Sequence, residues 1–184
     1  MRTARSIVTG VLTLVALGLV AAPAAAQHPQ VREGFWAGVG MGWGSFGLSC
    51  DACDGVDRTG SYSGYLKLGG TLRPNLLLGA ELNGWHKNEN GASVELGNAS
   101  AAAYWYPMVQ SGLFLTGGVG YSRLSAGDGD ISASDGGFGL LAGLGYDLRV
   151  ARNTSLTPVL NYFRGGFDGG SADVVQLGLG VSFH

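Results

Sequence analysis

The chain has 184 residues, a formal net charge of −2 and a hydrophobic content of 46%, with 34 glycines and 5 prolines. This apolar content excludes a disordered glycine-rich linker, and the lack of a three-residue glycine period excludes a collagen-like chain. No basic patch is interleaved with aromatic residues, so the sequence does not point to nucleic acid as a partner. The glycines must lie inside regular structure, where each normally costs stability, so they require a geometric reason.

The first 26 residues have the pattern of a secretory signal peptide. Two arginines near the start precede an apolar run from Ile7 to Val20, and three alanines precede Gln27. This order of charge, apolar run and small residues is typical of a cleaved leader, and the run is short for a membrane-spanning helix. We expect export and one mature domain over residues 27–184.

Eight segments of the mature chain alternate apolar residues with small or polar ones at a period of two, which predicts β-strands and not helices. In chain order the predicted strands are Phe35–Gly47, Tyr62–Leu72, Leu76–Trp85, Val94–Tyr106, Gly112–Arg123, Phe138–Arg149, Ser155–Phe163 and Val174–His184. Pro158 is unfavourable in a central strand and indicates a bulge or a local break in the ladder.

The connections between these strands alternate in predicted length. The first, third, fifth and seventh are longer and acidic, such as Ser125–Gly136, and the second, fourth and sixth contain three to five residues. This alternation predicts an antiparallel meander with two different rims. A regular terminal strand needs a partner on each edge, so the eighth strand is expected to pair with the first and close a barrel.

Two kinds of barrel have this pattern, and they differ in the direction that the apolar rows face. A soluble lipocalin-like ligand carrier buries its apolar rows and exposes a charged exterior. Here the other rows are mostly Gly, Ser, Thr and Asn, with few charges, and would make a poor solvated exterior. The sequence therefore favours an all-β, eight-stranded antiparallel up-and-down transmembrane β-barrel, with apolar rows in lipid and glycine-rich rows in a narrow lumen. The soluble carrier is the alternative.

Aromatic residues of the apolar rows fall near both ends of the predicted strands. Two such belts are typical of side chains anchored at the two membrane interfaces. From Phe35 to Trp43 a strand covers ~26 Å, or roughly 20 Å after a typical tilt, which is near the height of an apolar band. The predicted interfacial residues are Phe35, Trp105, Tyr146 and Phe183 at the short-turn rim, and Trp43, Tyr62, Tyr121 and Tyr162 at the long-loop rim.

Few charged residues lie within the predicted strands. Lys67 and Glu81 become directly opposite if residues 73–75 form the turn, and an ion pair across the lumen is expected because buried charge is costly unless paired. An eight-stranded interior holds little beyond side chains, so filling the lumen is favoured over an ion path, with at most a very narrow pore. Further polar residues that extend this filling are Asp147, Arg149, Asn161 and Gln176.

Cys50 and Cys53 lie in one predicted loop. In an exported protein, a close pair favours a local disulfide. A metal site needs more ligands than this loop offers, and a thioredoxin-like redox pair needs a strand-to-helix context. We therefore expect neither a metal nor a cofactor.

The chain resembles the small eight-stranded bacterial outer-membrane barrels of the outer-membrane protein A and X type, and the broader porin-like outer-membrane β-barrel families. The closing strand carries the sharper motif: Gly178, Val181 and Phe183 match the glycine and the two terminal hydrophobic positions of the signal that the barrel-assembly machinery reads. Leu177 stands where a polar residue is usual, and His184 follows the aromatic residue. The resemblance implies short turns in the periplasm and long loops outside the cell.

The resemblance also implies partners and a role. The expected partners are outer-membrane lipid and lipopolysaccharide, with the assembly machinery during biogenesis, and the expected role of a monomeric barrel is structural, adhesive or stabilising for the envelope. A lipid-modifying enzyme is the catalytic alternative, which needs a histidine, a serine and a carboxylate together near the outer rim. His86, with Glu89 and Ser93, is the candidate set, but three common residues in a polar loop are weak evidence, so we expect no catalytic site.

Overall fold

The computed structural model describes residues 29–50, 57–89, 91–128 and 131–184, so the expected signal peptide and Cys53 lie outside the described residues. No helix within these ranges has the length and apolar character needed to cross a membrane. The strand segments are β1 (Phe35–Cys50), β2 (Thr59–Arg73), β3 (Leu76–Glu89), β4 (Ala92–Trp105), β5 (Leu113–Asp128), β6 (Ile131–Tyr146), β7 (Leu148–Ala151), β8 (Thr154–Phe167) and β9 (Gly170–Phe183).

These segments form a closed antiparallel barrel. Consecutive segments pair along the sheet, and β9 pairs with β1 from Ala37–Phe183 to Cys50–Gly170. β6 and β7 follow one another along the same edge of β8 and make one wall strand, so the barrel has eight strands. The predicted pairing of the closing strand with the first is confirmed, and it closes the sheet formed by the described strands.

The predicted strand Phe138–Arg149 is interrupted at Asp147. The break lies beside Pro158 of the neighbouring strand, which has no N–H to give to the ladder. On the opposite edge the N–H of Asp147 donates to the carbonyl oxygen of Gly112 at 2.9 Å, which continues the β5–β6 pairing by one residue. Pro158 keeps its register with Leu179 on the other side, so the predicted irregularity is a one-sided break in the ladder and not a bulge.

The predicted alternation of short and long connections is wrong. β5 ends at Asp128 and β6 begins at Ile131, so most of the predicted loop Ser125–Gly136 is strand. The β3–β4 and β8–β9 hairpins are equally tight, whereas the β4–β5 connection, predicted to be short, covers residues 106–112. Polar residues of low strand propensity continue these strands because each arm of a hairpin supplies the other with backbone partners.

The two ends of the barrel are named by these connections. The turn rim carries the turns at 74–75 and 152–153 and the 106–112 connection, and the hairpin rim carries the ends of β1, β3, β5 and β8.

The apolar rows lie on the outside of the barrel, as predicted. The outward side chains of Met41 and Leu177 are 77% and 66% exposed, whereas the inward Leu77 is 1% exposed. A large exposed apolar band of this kind marks a surface covered by another phase or partner. The soluble carrier requires the opposite assignment of faces, and the structure contradicts it.

Inward glycines make room for large side chains in the lumen. A Cβ atom added at Gly40 would lie 2.5 Å from the Tyr65 ring, and one added at Gly44 would lie 2.6 Å from Trp85 Cδ1. Both distances are far inside van der Waals contact, so a side chain on that part of the wall would displace the ring opposite. This is the geometric reason for the glycine content.

Candidate functional site

A polar cluster occupies the middle of the lumen. The Glu81 carboxylate accepts hydrogen bonds from Asn83 and Asn161, each at 3.1 Å, and from the Tyr104 hydroxyl. Asn161 also donates to Gln176 Oε1 at 3.3 Å. All five side chains are buried, so protein donors and not bulk water satisfy this carboxylate.

Lys67 and Glu81 pair in the β2–β3 register, as the sequence predicts. Within the described residues, the ion pairs shorter than 4.0 Å do not include Lys67. Its ammonium nitrogen lies 4.7 Å from the Phe114 ring centre, 5.4 Å from that of Tyr104 and 5.7 Å from that of Tyr65. Aromatic faces attract a cation, so the expected direct ion pair is replaced by an aromatic cage beside a separately hydrogen-bonded carboxylate.

The segment 29–34 covers the lumen at the turn rim. Arg32 is 2% exposed, and its guanidinium donates to the carbonyl oxygens of Val109 at 3.0 Å and Ser111 at 2.7 Å. The same guanidinium lies 3.6 Å from the centre of the Tyr106 ring. These contacts fasten the start of the described chain to the 106–112 connection. We call residues 29–34 the N-terminal strap.

Asp147 joins the strap to the barrel wall. Its carbonyl oxygen accepts a hydrogen bond from Gln30 at 3.0 Å, and its carboxylate accepts bonds from Tyr106 and Thr157, each at 2.8 Å. The imidazole Nε2 of the terminal His184 lies 3.4 Å from the same carboxylate. The ladder break at Asp147 therefore turns one residue into a junction of four separate parts of the chain.

The polar residues expected to extend the filling are all buried in the lumen. The N-terminal strap was not predicted from the sequence. Arg149 donates to the Val31 carbonyl oxygen at 2.9 Å, which adds a second arginine to the turn-rim closure. No local pattern in residues 29–34 signals this role. The only available signal was an arginine in a short segment between the leader and the first strand.

Towards the hairpin rim the lumen becomes apolar. Trp85, Leu96, Phe163 and Val174 are buried there, and the Phe46 ring stacks on Trp85 with centres 4.7 Å apart. The Trp85 indole nitrogen donates to a wall carbonyl oxygen at 3.0 Å, so its polar atom is satisfied. We call this set the apolar layer. The sequence did not predict it, because large inward residues interrupt rows that are otherwise small and polar.

The predicted interfacial aromatics lie on the outer wall. All eight are exposed except Tyr146, which is half-buried. Trp43 and Tyr62 contact edge to face with ring centres 5.4 Å apart, so neighbouring strands contribute to the belt near the hairpin rim. Their anchoring in a membrane interface stays a prediction.

The closing-strand motif has a defined place in the wall. Gly178 faces the lumen and is buried, Val181 is half-buried, and Phe183 is exposed at the end of β9. Phe183 pairs with Ala37 on one side and Thr154 on the other. The role of these residues as an assembly signal stays a prediction.

Cys50, the last residue of β1, is disulfide-bonded. Cys53, its predicted partner, lies outside the described residues.

The residues of the catalytic alternative are not brought together. In the β3–β4 register His86 lies opposite Glu95, and Ser93 lies opposite Asn88. The Glu89 carboxylate pairs with the Lys87 ammonium group at 2.7 Å. The geometry therefore offers no histidine oriented by Glu89 and bonded to Ser93, which that chemistry requires.

Comparisons with known proteins agree with this architecture. A family model described as the outer membrane protein beta-barrel domain matches residues 12–183. No curated protein sequence matches the chain.

Solved structures share the fold at low sequence identity. The attachment invasion locus protein Ail of Yersinia pestis has a TM-score of 0.61 at 16% identity, covering 82% of this chain and 99% of its own. Neisserial surface protein A has a TM-score of 0.63 at 17% identity, covering 83% and 98%. The N-terminal β-barrel domain of Pseudomonas aeruginosa OprF has a TM-score of 0.51 at 14% identity, covering 83% and 98%. At these identities the likeness shows the fold alone.

Proposed function

The chain belongs to the outer membrane protein beta-barrel family, and from this premise we propose that it is a non-catalytic, non-conducting wall protein of the bacterial outer membrane. A signal peptide of residues 1–26 is removed during export. The turn rim faces the periplasm and the hairpin rim faces the outside of the cell. The barrel-assembly machinery reads Gly178, Val181 and Phe183, and the finished barrel is a monomer surrounded by lipid.

The filling of the lumen is the observation that carries this proposal. Three obstacles lie in series: the N-terminal strap at the turn rim, the polar cluster around Glu81, and the apolar layer. Arg32 and Glu81 are 2% exposed, and Leu96 is fully buried. An ion crosses a constriction only if it keeps its hydration water or exchanges that water for polar ligands. The apolar layer provides neither. Such a barrel stabilises the envelope without giving solutes a path.

The length of the hairpins favours a surface role in addition. β5 continues from Tyr121 to Asp128, which adds seven residues or ~23 Å of strand past the aromatic belt. Paired strands of this length form a stiff sheet outside the membrane and do not behave as free loops. One structural neighbour is described as an attachment invasion locus protein, and the shared fold supports adhesive contact through the hairpin rim as the second candidate role.

Reconstitution of the mature chain tests both parts of the proposal. The protein should fractionate with outer membranes, migrate faster on gels when unboiled, and give no conductance steps above the lipid background in planar bilayers. Recovery as a soluble periplasmic monomer would refute the membrane assignment. Stable single-channel steps from the intact barrel would refute the non-conducting role while leaving the membrane assignment in place.

A further inference from the structure

Two arginines on the outer wall occupy the same local geometry. Arg123 on β5 lies two residues beyond Tyr121 in the direction of the hairpin rim, and Arg164 on β8 lies two residues beyond Tyr162. Both tyrosines belong to the predicted aromatic belt, and both arginines are exposed on the outward face. Each cation therefore lies just outside the band that the apolar rows define.

Each arginine is hydrogen-bonded to a serine on the next strand. Arg123 Nη2 donates to Ser134 Oγ at 3.0 Å, and Arg164 Nη2 donates to Ser171 Oγ at 2.8 Å. In both cases the serine lies two residues nearer the hairpin rim than the residue paired with the arginine. We call these sets the β5 site (Tyr121, Arg123 and Ser134) and the β8 site (Tyr162, Arg164 and Ser171).

The charge of both arginines is left unneutralised by nearby acids. Within the described residues, neither arginine has a carboxylate oxygen within 4.0 Å. Arg164 is paired in register with Asp173, but that carboxylate is engaged by Arg58 at 2.8 Å. A guanidinium has five donors, and the bond to serine uses one of its nitrogens, so a fork remains for an anion.

The two sites lie on one outward patch. On β6, which separates them, Arg123 faces Gly136 and Arg164 faces Leu140, four residues apart. Four residues along the strand and two strands across give a separation of ~16 Å between the two Cα positions. Phe138 lies between them and is exposed, so an apolar surface continues between the two cations.

We propose that the β5 and β8 sites each bind a phosphate group carried by a lipid of the outer leaflet. The proposal rests on the membrane assignment made above. Phosphate accepts two parallel hydrogen bonds from an arginine, and the serine hydroxyl adds a further donor. The tyrosine below each arginine lies at the level of the headgroups, where such rings are enriched.

The location selects a lipid-borne phosphate over a soluble polyanion. The ends of the hairpins carry exposed acids, including Glu89, Asp128 and Asp168, which repel a polyanion that approaches from solution. The arginines lie below these tips, on the side of the wall, where a molecule within the membrane plane reaches them directly. An anionic lipid can place its phosphate group on an arginine site and its acyl chains on the neighbouring apolar rows.

Native mass spectrometry of the refolded barrel tests the proposal. The barrel is released from zwitterionic micelles that contain lipid A with two phosphates, and the lipid adducts are counted. The test uses Arg123→Gln, Arg164→Gln and the double variant. Arg152→Gln, which removes an exposed arginine at the turn rim, is the matched control. We expect each single variant to lose one binding event, with affinity at that site falling about tenfold or more, because a charge-assisted bond contributes on this scale.

The double variant should bind lipid A no better than wild type binds lipid A without phosphates, and Arg152→Gln should bind as wild type does. Unchanged binding by the double variant, or equal binding of lipid A with and without phosphates, would overturn the proposal. Displacement of lipid A by a soluble sulfated glycan at equal phosphate and sulfate concentrations would assign the sites to a soluble polyanion instead. A failed membrane assignment gives a different result, since that protein would need no detergent and would show no heat-dependent gel mobility.

Discussion

Arg32 lies with its guanidinium 3.6 Å from the centre of the Tyr106 ring, although 74 positions separate the two residues in the chain. The Tyr106 hydroxyl in turn donates to the Asp147 carboxylate at 2.8 Å. A cation, a tyrosine and a carboxylate therefore form one chain of contacts across the turn rim. These contacts link the N-terminal strap, the connection after β4 and the break after β6, and make the strap part of the barrel.

Arg32→Ala should destabilise the barrel by about 2–4 kcal/mol, because it removes the cation–π contact and leaves the carbonyl oxygens of Val109 and Ser111 without their donor. The measurement is the urea midpoint of the heat-modifiable band in micelles. Glu33→Ala, at the exposed neighbouring position, should leave the midpoint unchanged. Arg32→Lys should be intermediate at best, since lysine lacks the planar fork. Equal midpoints for Arg32→Ala and Glu33→Ala would show that the strap is not fastened.

A double-mutant cycle between Lys67 and Glu81 distinguishes the aromatic cage from a direct ion pair. With Lys67→Met and Glu81→Gln, we expect a coupling free energy below about 1 kcal/mol, because no ion pair within 4.0 Å joins the two side chains. The cycle of Glu81→Gln with Tyr104→Phe should give the larger coupling, since that pair shares a buried hydrogen bond. A Lys67–Glu81 coupling of about 3 kcal/mol or more would restore the direct ion pair.

A larger residue should destabilise the barrel where it replaces a lumen-facing glycine that lies opposite an aromatic ring. Gly40→Val should destabilise the barrel by about 1–3 kcal/mol, because the added atoms overlap the Tyr65 ring. Gly117→Val is the matched control, since a Cβ at that outward position meets nothing within 4 Å. Tyr65→Leu, combined with Gly40→Val, should recover part of the loss. Similar unfolding free energies for the Gly40 and Gly117 variants would refute the space-filling role of Gly40.

The sequence predicted the wall well, because the alternation of faces is a local property. The inward and outward rows of each strand can be read from its own sequence, because side chains alternate at a period of two. Closure of the barrel follows because the terminal strand needs a partner on each edge. The pairing of Lys67 with Glu81 was also predicted, from a turn at 73–75. The structure has the turn at 74–75, and an irregularity between Thr71 and Arg73 restores the predicted register behind it.

Features that depend on distant parts of the chain were missed. The hairpins extend to Asp128 because two weakly strand-forming arms pair with each other, which propensity alone does not report. The break at Asp147 lies beside a proline of the adjacent strand, and the Asp147 carbonyl oxygen accepts a hydrogen bond from Gln30 of the strap, 117 positions away. The prediction of a direct ion pair was wrong for a related reason. The sequence placed Lys67 opposite Glu81 but did not show that aromatic rings from other strands surround the ammonium group.

The environment of the closing strand in a reconstituted bilayer tests the membrane barrel most directly. Single spin labels at Leu177 and Leu179, in a cysteine-free background, are compared with a label at the exposed hairpin position Asp168. We expect relaxation at both leucines to respond to membrane-dissolved oxygen and to be insensitive to a water-soluble nickel reagent, with the reverse at Asp168. Ready access of the nickel reagent to Leu177 and Leu179 would contradict the lipid-facing assignment and the membrane barrel with it.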